Sequence, residues 1–129
     1  MLTPVLPAPT DARLPYSPGV LACGLVRTLY ISGQVGIEAS GAVPASFEAQ
    51  VRAAFRNLEA VLAAAGMGLA DLAKVTAYLT DPADYAAYGA LRTELLKGCK
   101  PASTLIVAAA LARPDWRFEI EAVAVAADH

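Results

Sequence analysis

The feature that most limits how this chain can fold is a long amphipathic helix near its middle. Ser46 is a favourable N-cap, and Glu48 lies in the first turn, where the helix dipole stabilises an anion. Apolar side chains then recur at helical spacing from residue 47 to residue 65, opposite most of the charged ones. Gly66 is a suitable residue to end the helix. The apolar face of such a helix must be buried against another layer.

A strand and a second helix follow directly. Apolar and polar residues alternate over Leu72–Leu79, which predicts a half-buried strand. Asp81-Pro82 combines an N-cap with a proline at the first helical position, which predicts a helix start. Gly98 is the predicted end of this helix. Its predicted apolar stripe comprises Tyr85, Tyr88, Leu91 and Leu95.

The remaining segments predict four further strands. Gly19–Gly24 and Arg27–Ser32 are short β-rich runs that predict a hairpin, preceded by an extended, proline-rich lead-in. Gly33–Pro44 contains three glycines and a proline and predicts a loop. Ser103–Leu111 is apolar on both faces, which is typical of a central strand covered on each side. Trp116–Ala126 alternates and predicts the last strand.

The predicted order is therefore β-β-α-β-α-β-β. It indicates an α+β fold in which two helices cover one face of a mixed sheet. At 129 residues, a single domain over 1–129 is the natural interpretation. Hydrophobic residues make up 57% of the chain and the mean hydropathy is +0.47, so we expect some apolar surface to meet another subunit.

Composition and motifs argue against several classes of function. The chain has 10 basic and 12 acidic residues and no basic stripe, which disfavours electrostatic binding of nucleic acid. No apolar run approaches the ~20 residues that span a bilayer, and no signal peptide is evident, so a cytoplasmic protein without membrane contact is expected. Cys23 and Cys99 are expected to be free thiols. The only histidine is His129, so neither a histidine triad nor a metal site is expected.

The acids of the last strand are the strongest candidates for chemistry. Glu119 and Glu121 share one face of an otherwise apolar strand, where a carboxylate is costly unless it is solvated, paired or used. Exposure to solvent, or pairing with Arg117 or another basic group, would explain an acid at position 121 as well as a functional role would. Glu119 could act as a general acid or base. Two weaker candidates are Ser32-Gly33-Gln34, where glycine lets a ligand approach the backbone, and Tyr16, an aromatic residue with a polar tip.

Six short motifs occur in order and at the spacing of one known family. They are Pro15-Tyr16…Gly19, Tyr30-Ile31-Ser32-Gly33-Gln34, Asn57-Leu58…Ala65-Gly66, Val75-Thr76-Ala77-Tyr78-Leu79-Thr80-Asp81, Pro101-Ala102-Ser103-Thr104 and Glu119-Ile120-Glu121-Ala122. Together they resemble the Rid (YjgF, L-PSP) superfamily over nearly the whole chain. The resemblance implies a chorismate-mutase-like α+β fold and a homotrimer with small-molecule clefts between its subunits.

The resemblance also implies an activity. Well-known members hydrolyse reactive imines and enamines, such as 2-aminoacrylate, to a keto acid and ammonia with no metal and no organic cofactor. By position, Glu119 would order the attacking water, and Tyr16, Ser32, Gly33 and Gln34 would contribute to the ligand site.

This chain departs from the family pattern at the residues that hold the substrate. The family has an arginine after the Pro-Ala pair, which grips the substrate carboxylate, whereas this chain has Ser103 followed by Thr104. Leu105 stands where a cysteine is frequent, and Gly89 stands where active imine deaminases have an asparagine. A serine hydroxyl cannot replace a fork of charged donors.

These departures leave two hypotheses. The first is a deaminase for a small imine or enamine. Its substrate either lacks a carboxylate or has that carboxylate held by a cation other than the missing arginine, and the candidates are Lys100, Arg13 or Arg117 from a neighbouring chain. The second is a non-catalytic trimeric binding protein in which Ser103 and Thr104 hydrogen-bond a neutral ligand. An endoribonuclease activity, attached to the family by name, is disfavoured by the acidic balance of the chain.

Overall fold

The computed structural model describes residues 2–7 and 13–128. Its strands are β1 (Leu2–Val5), β2 (Gly19–Ala22), β3 (Val26–Val35), β4 (Leu72–Leu79), β5 (Ala102–Val107) and β6 (Phe118–Ala127). Its α-helices are α1 (Phe47–Ala64) and α2 (Tyr85–Leu95), and two 3₁₀ turns lie at Leu69–Asp71 and Pro82–Asp84. Among these described residues, no helix is both long and apolar enough to cross a bilayer.

The main sheet is mixed and has the order β3-β6-β4-β5. Strand β6 runs antiparallel to both β3 and β4, whereas β4 and β5 are parallel. Both helices lie on the same face of the sheet, because the Phe118 ring of β6 contacts Phe47 and Phe55 of α1 and Tyr88 of α2 at centroid distances of 5.1–6.3 Å. The predicted α+β fold with a mixed sheet and two helices on one face is confirmed.

The predicted start of α1 is confirmed in detail, and α2 begins three residues after the predicted position. The Ser46 side chain accepts a hydrogen bond from the Ala49 N–H at 3.1 Å, and Gly66 adopts a positive φ of 70° just after α1 ends. Asp81 caps the 3₁₀ turn that leads into α2. The predicted stripe of α2 is wrong for Tyr85, which is 62% exposed, because the helix proper begins only at that residue.

The predicted hairpin between Gly19–Gly24 and Arg27–Ser32 is wrong. Strand β2 pairs instead with β1 in a separate two-stranded sheet, and β3 pairs with β6. The lead-in supplies a nearby antiparallel partner for β2, so the turn at Gly24 joins two sheets rather than two neighbouring strands. Strand β3 also extends through Val35 into the predicted loop Gly33–Pro44, with an irregularity in its pairing between Ile31 and Gln34.

The predicted central strand Ser103–Leu111 is also wrong in its position and its end. Strand β5 stops at Val107 and lies at one edge of the sheet. Ile106 and Val107 are 42% and 44% exposed. Apolar residues on both faces do not distinguish a central strand from an edge strand with an exposed apolar surface, so the sequence pattern could not place β5.

Candidate functional site

Glu119 lies on the face of the sheet that the helices leave open. Its neighbours along β6, Phe118 and Ile120, are fully buried in the core, so the alternating strand directs Glu119 the other way. A Cβ added to Gly33 would lie 1.9 Å from the Glu119 Oε2 atom. The carboxylate therefore rests directly on the Gly33 backbone, at the point where the pairing of β3 with β6 is irregular. Only glycine allows this close approach.

The predicted segment Ser32-Gly33-Gln34 thus lies beside the predicted acid. The Gln34 side chain donates from Nε2 to the Ser32 carbonyl oxygen at 3.1 Å. Ser32 is exposed and Gln34 is half-buried. Since Val35 pairs directly with Glu119, the end of β3 and the start of β6 form one half of a candidate site.

Glu121 has a different environment from Glu119. It is exposed and accepts a hydrogen bond from the Tyr78 hydroxyl, and this bond raises the pKa of Tyr78 above its ordinary value. Arg117 does not pair with Glu121, because its Nη2 donates to both carboxylate oxygens of Asp84 at 3.0 and 3.1 Å. Arg117 therefore forms an ion pair with Asp84 of its own chain instead of pairing with Glu121.

A buried amide of α1 supports the start of β6. Gln50 is 2% exposed, and its Nε2 donates to the carbonyl oxygens of Pro44 and Asp115 at 2.9 Å each. Its Oε1 accepts from the Arg117 N–H at 2.8 Å, two residues before Glu119. Sequence reasoning did not single out Gln50, although a polar residue on the apolar face of a predicted helix was the available signal.

A second amide supports the end of β3. Asn57 donates from Nδ2 to the carbonyl oxygens of Val35 and Ile37 at 3.0 and 2.9 Å. Gly36, between them, packs so closely on α1 that an added Cβ would lie 2.6 Å from the Gln50 Cα atom. Both strand ends around Glu119 are thus anchored to the same helix.

The other predicted site residues lie around the start of β5. Ser17 forms an isolated bridge with Ala102, and its Oγ donates to the Lys100 carbonyl oxygen at 2.6 Å, which places Tyr16 beside this strand. Ser103 pairs in register with Val75, a core residue, so it lies on the helix-covered face.

Leu105 and Thr104 lie on opposite faces of β5. Leu105 packs against the core, whereas Thr104 lies on the open face, where its Oγ1 accepts from Lys74 Nζ at 2.5 Å. The four residues predicted for this half of the site therefore do not point to one common surface within a single chain.

Within one chain, Glu119 and the predicted site residues at the start of β5 lie far apart. Tyr78 pairs with Glu119 on one side and with Ile106 on the other, so Ser103 is two strands across and three residues along from Glu119. Strand geometry puts their Cα atoms roughly 14 Å apart. The two side chains also lie on opposite faces of the sheet. A site that uses both needs a second chain.

An apolar cavity of about 400 Å³ lies under the β1–β2 sheet and was not predicted. It is lined by Tyr16 together with Leu2, Pro4, Leu6, Leu14, Ser17, Val20, Ala70, Leu72, Cys99, Lys100 and Pro101. None of these residues is acidic. Within residues 2–7 and 13–128, no cluster of three or more His, Cys, Asp or Glu side chains could hold a metal ion.

Fold and site together define a class: a two-helix α+β protein with a glycine-supported carboxylate on the open face of a mixed sheet. The profile of the Endoribonuclease L-PSP family matches residues 7–126. A Mus musculus protein named 2-iminobutanoate/2-iminopropanoate deaminase is 37% identical over 118 residues, covering 90% of this chain and 87% of the relative. Protein mmf2, mitochondrial, from Schizosaccharomyces pombe is 35% identical over 112 residues, covering 85% and 86%.

Solved structures agree with these relatives. The crystal structure of YyfB from Yersinia pestis, a protein of unknown function of the conserved Rid protein family, has a TM-score of 0.85 and 32% identity, and covers 95% of this chain and 97% of that one. E. coli TdcF with bound serine has a TM-score of 0.72 and 29% identity, covering 90% and 91%. The chain belongs to the Endoribonuclease L-PSP family, within the Rid/YjgF superfamily.

Proposed function

We propose that this protein is a deaminase that hydrolyses small reactive imines or enamines and releases ammonia. The observation that carries the proposal is the Glu119 carboxylate, held on the Gly33 backbone at an open sheet face. Relatives named 2-iminobutanoate/2-iminopropanoate deaminase, at 34–37% identity, support the reaction class.

The chemistry needs a carboxylate and a water molecule. Glu119 accepts a proton from water as the water oxygen bonds to the imine carbon. Glu119 passes that proton to the imine nitrogen, which gives a neutral carbinolamine. It then takes the proton of the carbinolamine hydroxyl and delivers it to nitrogen as the C–N bond breaks, so the carbonyl forms and ammonia leaves. The sum is imine plus water giving a carbonyl compound plus ammonia, and no electrons are exchanged. The step requires neither a metal nor an organic cofactor.

The working form in this proposal is a homotrimer with its clefts between subunits. One chain would supply Glu119 and the Ser32–Gln34 segment, and its neighbour would supply the group around Tyr16 and Ser103. Two observations support it. The groups are separated within one chain, and apolar side chains stand exposed at both sheet edges, with Tyr30 of β3 78% exposed and Val107 of β5 44% exposed.

Ammonia release from an imine generated in the assay tests the proposal. The natural chain should accelerate release, and Glu119→Gln should lower the rate about 10²–10⁴-fold, the usual contribution of a positioned acid–base group. Glu121→Gln is the matched control, since Glu121 is exposed on the same face and bonded to Tyr78. Equal rates for the natural chain and Glu119→Gln would refute the proposed role of the acid.

A second candidate is a non-catalytic binding protein. The 400 Å³ apolar cavity beside Tyr16 favours it, because a cavity of that size suits a small molecule. This alternative predicts that neutral apolar ligands raise the melting temperature while no imine is hydrolysed. Ammonia release that depends on Glu119 would exclude it.

A further inference from the structure

One nitrogen of the Arg92 guanidinium in α2 lacks a hydrogen-bond partner. This Nε is buried, while the Cζ lies 5.7 Å from the centroid of the Tyr88 ring, a cation–π contact. Arg52, Arg113 and Arg117 each pair with a carboxylate, but no ion pair joins Arg92 to any residue in 2–7 or 13–128. Buried donors in folded proteins nearly always have an acceptor, and the Arg92 Nε lacks one.

Arg92 lines a small pocket with a positive character. The pocket measures about 60 Å³ and lies where α2 ends, against the segment that leads to Tyr16. The other lining residues are Pro15, Thr93, Leu96, Gly98, Cys99 and Lys100. Among the described residues that line it, two side chains are cationic and none is acidic, in a chain whose net charge is −2. A water molecule occupies about 30 Å³ in the liquid, so a carboxylate group fits this space.

The surroundings of the pocket leave room for a ligand to extend beyond it. Cys99 and Lys100 line both this pocket and the 400 Å³ apolar cavity, so the two are neighbours. Ser103 lies on the same helix-covered side of the sheet.

We propose that Arg92, with Lys100 nearby, forms a subsite for the carboxylate of a small organic acid. The inference rests on the proposed function in one respect, namely that this carboxylate belongs to the imine substrate. The guanidinium would hold the carboxylate through paired N–H donors, a geometry that lysine cannot reproduce. With the carboxylate held by Arg92, no cation is needed at position 103. The ligands of this subsite would then be 2-imino acids as substrates and keto acids as products.

Binding of pyruvate tests the subsite without any turnover. Pyruvate and its neutral analogue pyruvamide are titrated by NMR into the natural chain, Arg92→Gln and Arg92→Lys. Loss of a charged hydrogen-bonded pair should weaken pyruvate binding by about 10–100-fold in Arg92→Gln, with a smaller loss in Arg92→Lys and no change for pyruvamide. Arg56→Gln is the matched control, since Arg56 is an exposed arginine on α1 and should leave both affinities unchanged.

The outcomes separate this inference from the proposed function. Equal pyruvate affinity in the natural chain and in folded Arg92→Gln overturns the subsite, as does a natural chain that binds pyruvamide as well as pyruvate. If pyruvate binding depends on Arg92 while no imine is hydrolysed, the subsite stands and the deaminase proposal fails. If Arg92→Gln does not fold, the more conservative Arg92→Lys decides: an affinity for pyruvate equal to that of the natural chain overturns the subsite.

Discussion

Replacing Gly33 with alanine should inactivate the protein without unfolding it. The new Cβ would lie 1.9 Å from the Glu119 Oε2 atom, whereas an ordinary contact is 3.4 Å or longer, so the carboxylate must move by about 1.5 Å. The atom that must give way is the far end of a flexible side chain, and the φ of Gly33 is not positive, so the backbone tolerates alanine. A misplacement of this size costs about 10²-fold in rate.

The assay measures ammonia release and urea unfolding on the same preparations. Gly33→Ala should lose activity nearly as Glu119→Gln does, with stability within about 1 kcal/mol of the natural chain. Gly68→Ala is the control, because a Cβ there meets no atom within 4 Å. Full activity in Gly33→Ala would refute the reasoning, because it would show that the position of the carboxylate does not matter.

Three further substitutions test the packing around the site. Gly36→Ala should destabilise the fold by about 1–3 kcal/mol in urea, because its Cβ would lie 2.6 Å from backbone atoms of Gln50; unchanged stability would contradict this contact. Burial raises the pKa of Tyr88 to about 12, so the neutral tyrosine contributes stability that is present below pH 10 and is lost as the pH rises through 12. Tyr88→Phe should therefore not lower stability at pH 8, because the buried hydroxyl has no partner. Between pH 10 and 12 the variant should become more stable relative to the natural chain, and a stability difference that does not change with pH would contradict the raised pKa of Tyr88. The bond from Arg52 lowers the pKa of Glu94, so Glu94→Gln should reduce stability at pH 7 and not at pH 3, and an equal loss at both would show that the ion pair is not the cause.

Local signals in the sequence predicted both helices and five of the six strands, but they missed β1 and did not show how the strands pair. Ser46 and the alternation over Leu72–Leu79 act over a few residues, and the structure confirms both, whereas Asp81-Pro82 begins a 3₁₀ turn that leads into α2. The partner of β2 and the edge position of β5 depend on residues distant in the chain, and no local pattern contains that information. The predicted hairpin failed for this reason.

In the candidate site, too, the sequence indicated individual residues but not the contacts between them. The resemblance indicated Glu119 and Gly33 as separate motifs, and their contact follows only from the register between β3 and β6. Arg92 was not found from the sequence, because an arginine in the last turn of a helix is normally a solvated charge. Its distinguishing property, a buried Nε without a partner, exists only in the folded chain.

Subunit mixing tests the shared cleft most directly. Glu119→Gln removes the acid from one half of the proposed site, and Thr104→Trp places a bulky side chain in the other half, at the exposed edge strand β5. Each variant alone should be inactive, whereas coexpression in equal amounts should restore about a quarter of the clefts in random homotrimers. Sedimentation should find the mixed protein as a trimer. Activity in Thr104→Trp alone, no recovery on mixing, or a stable monomer would contradict a site built between chains.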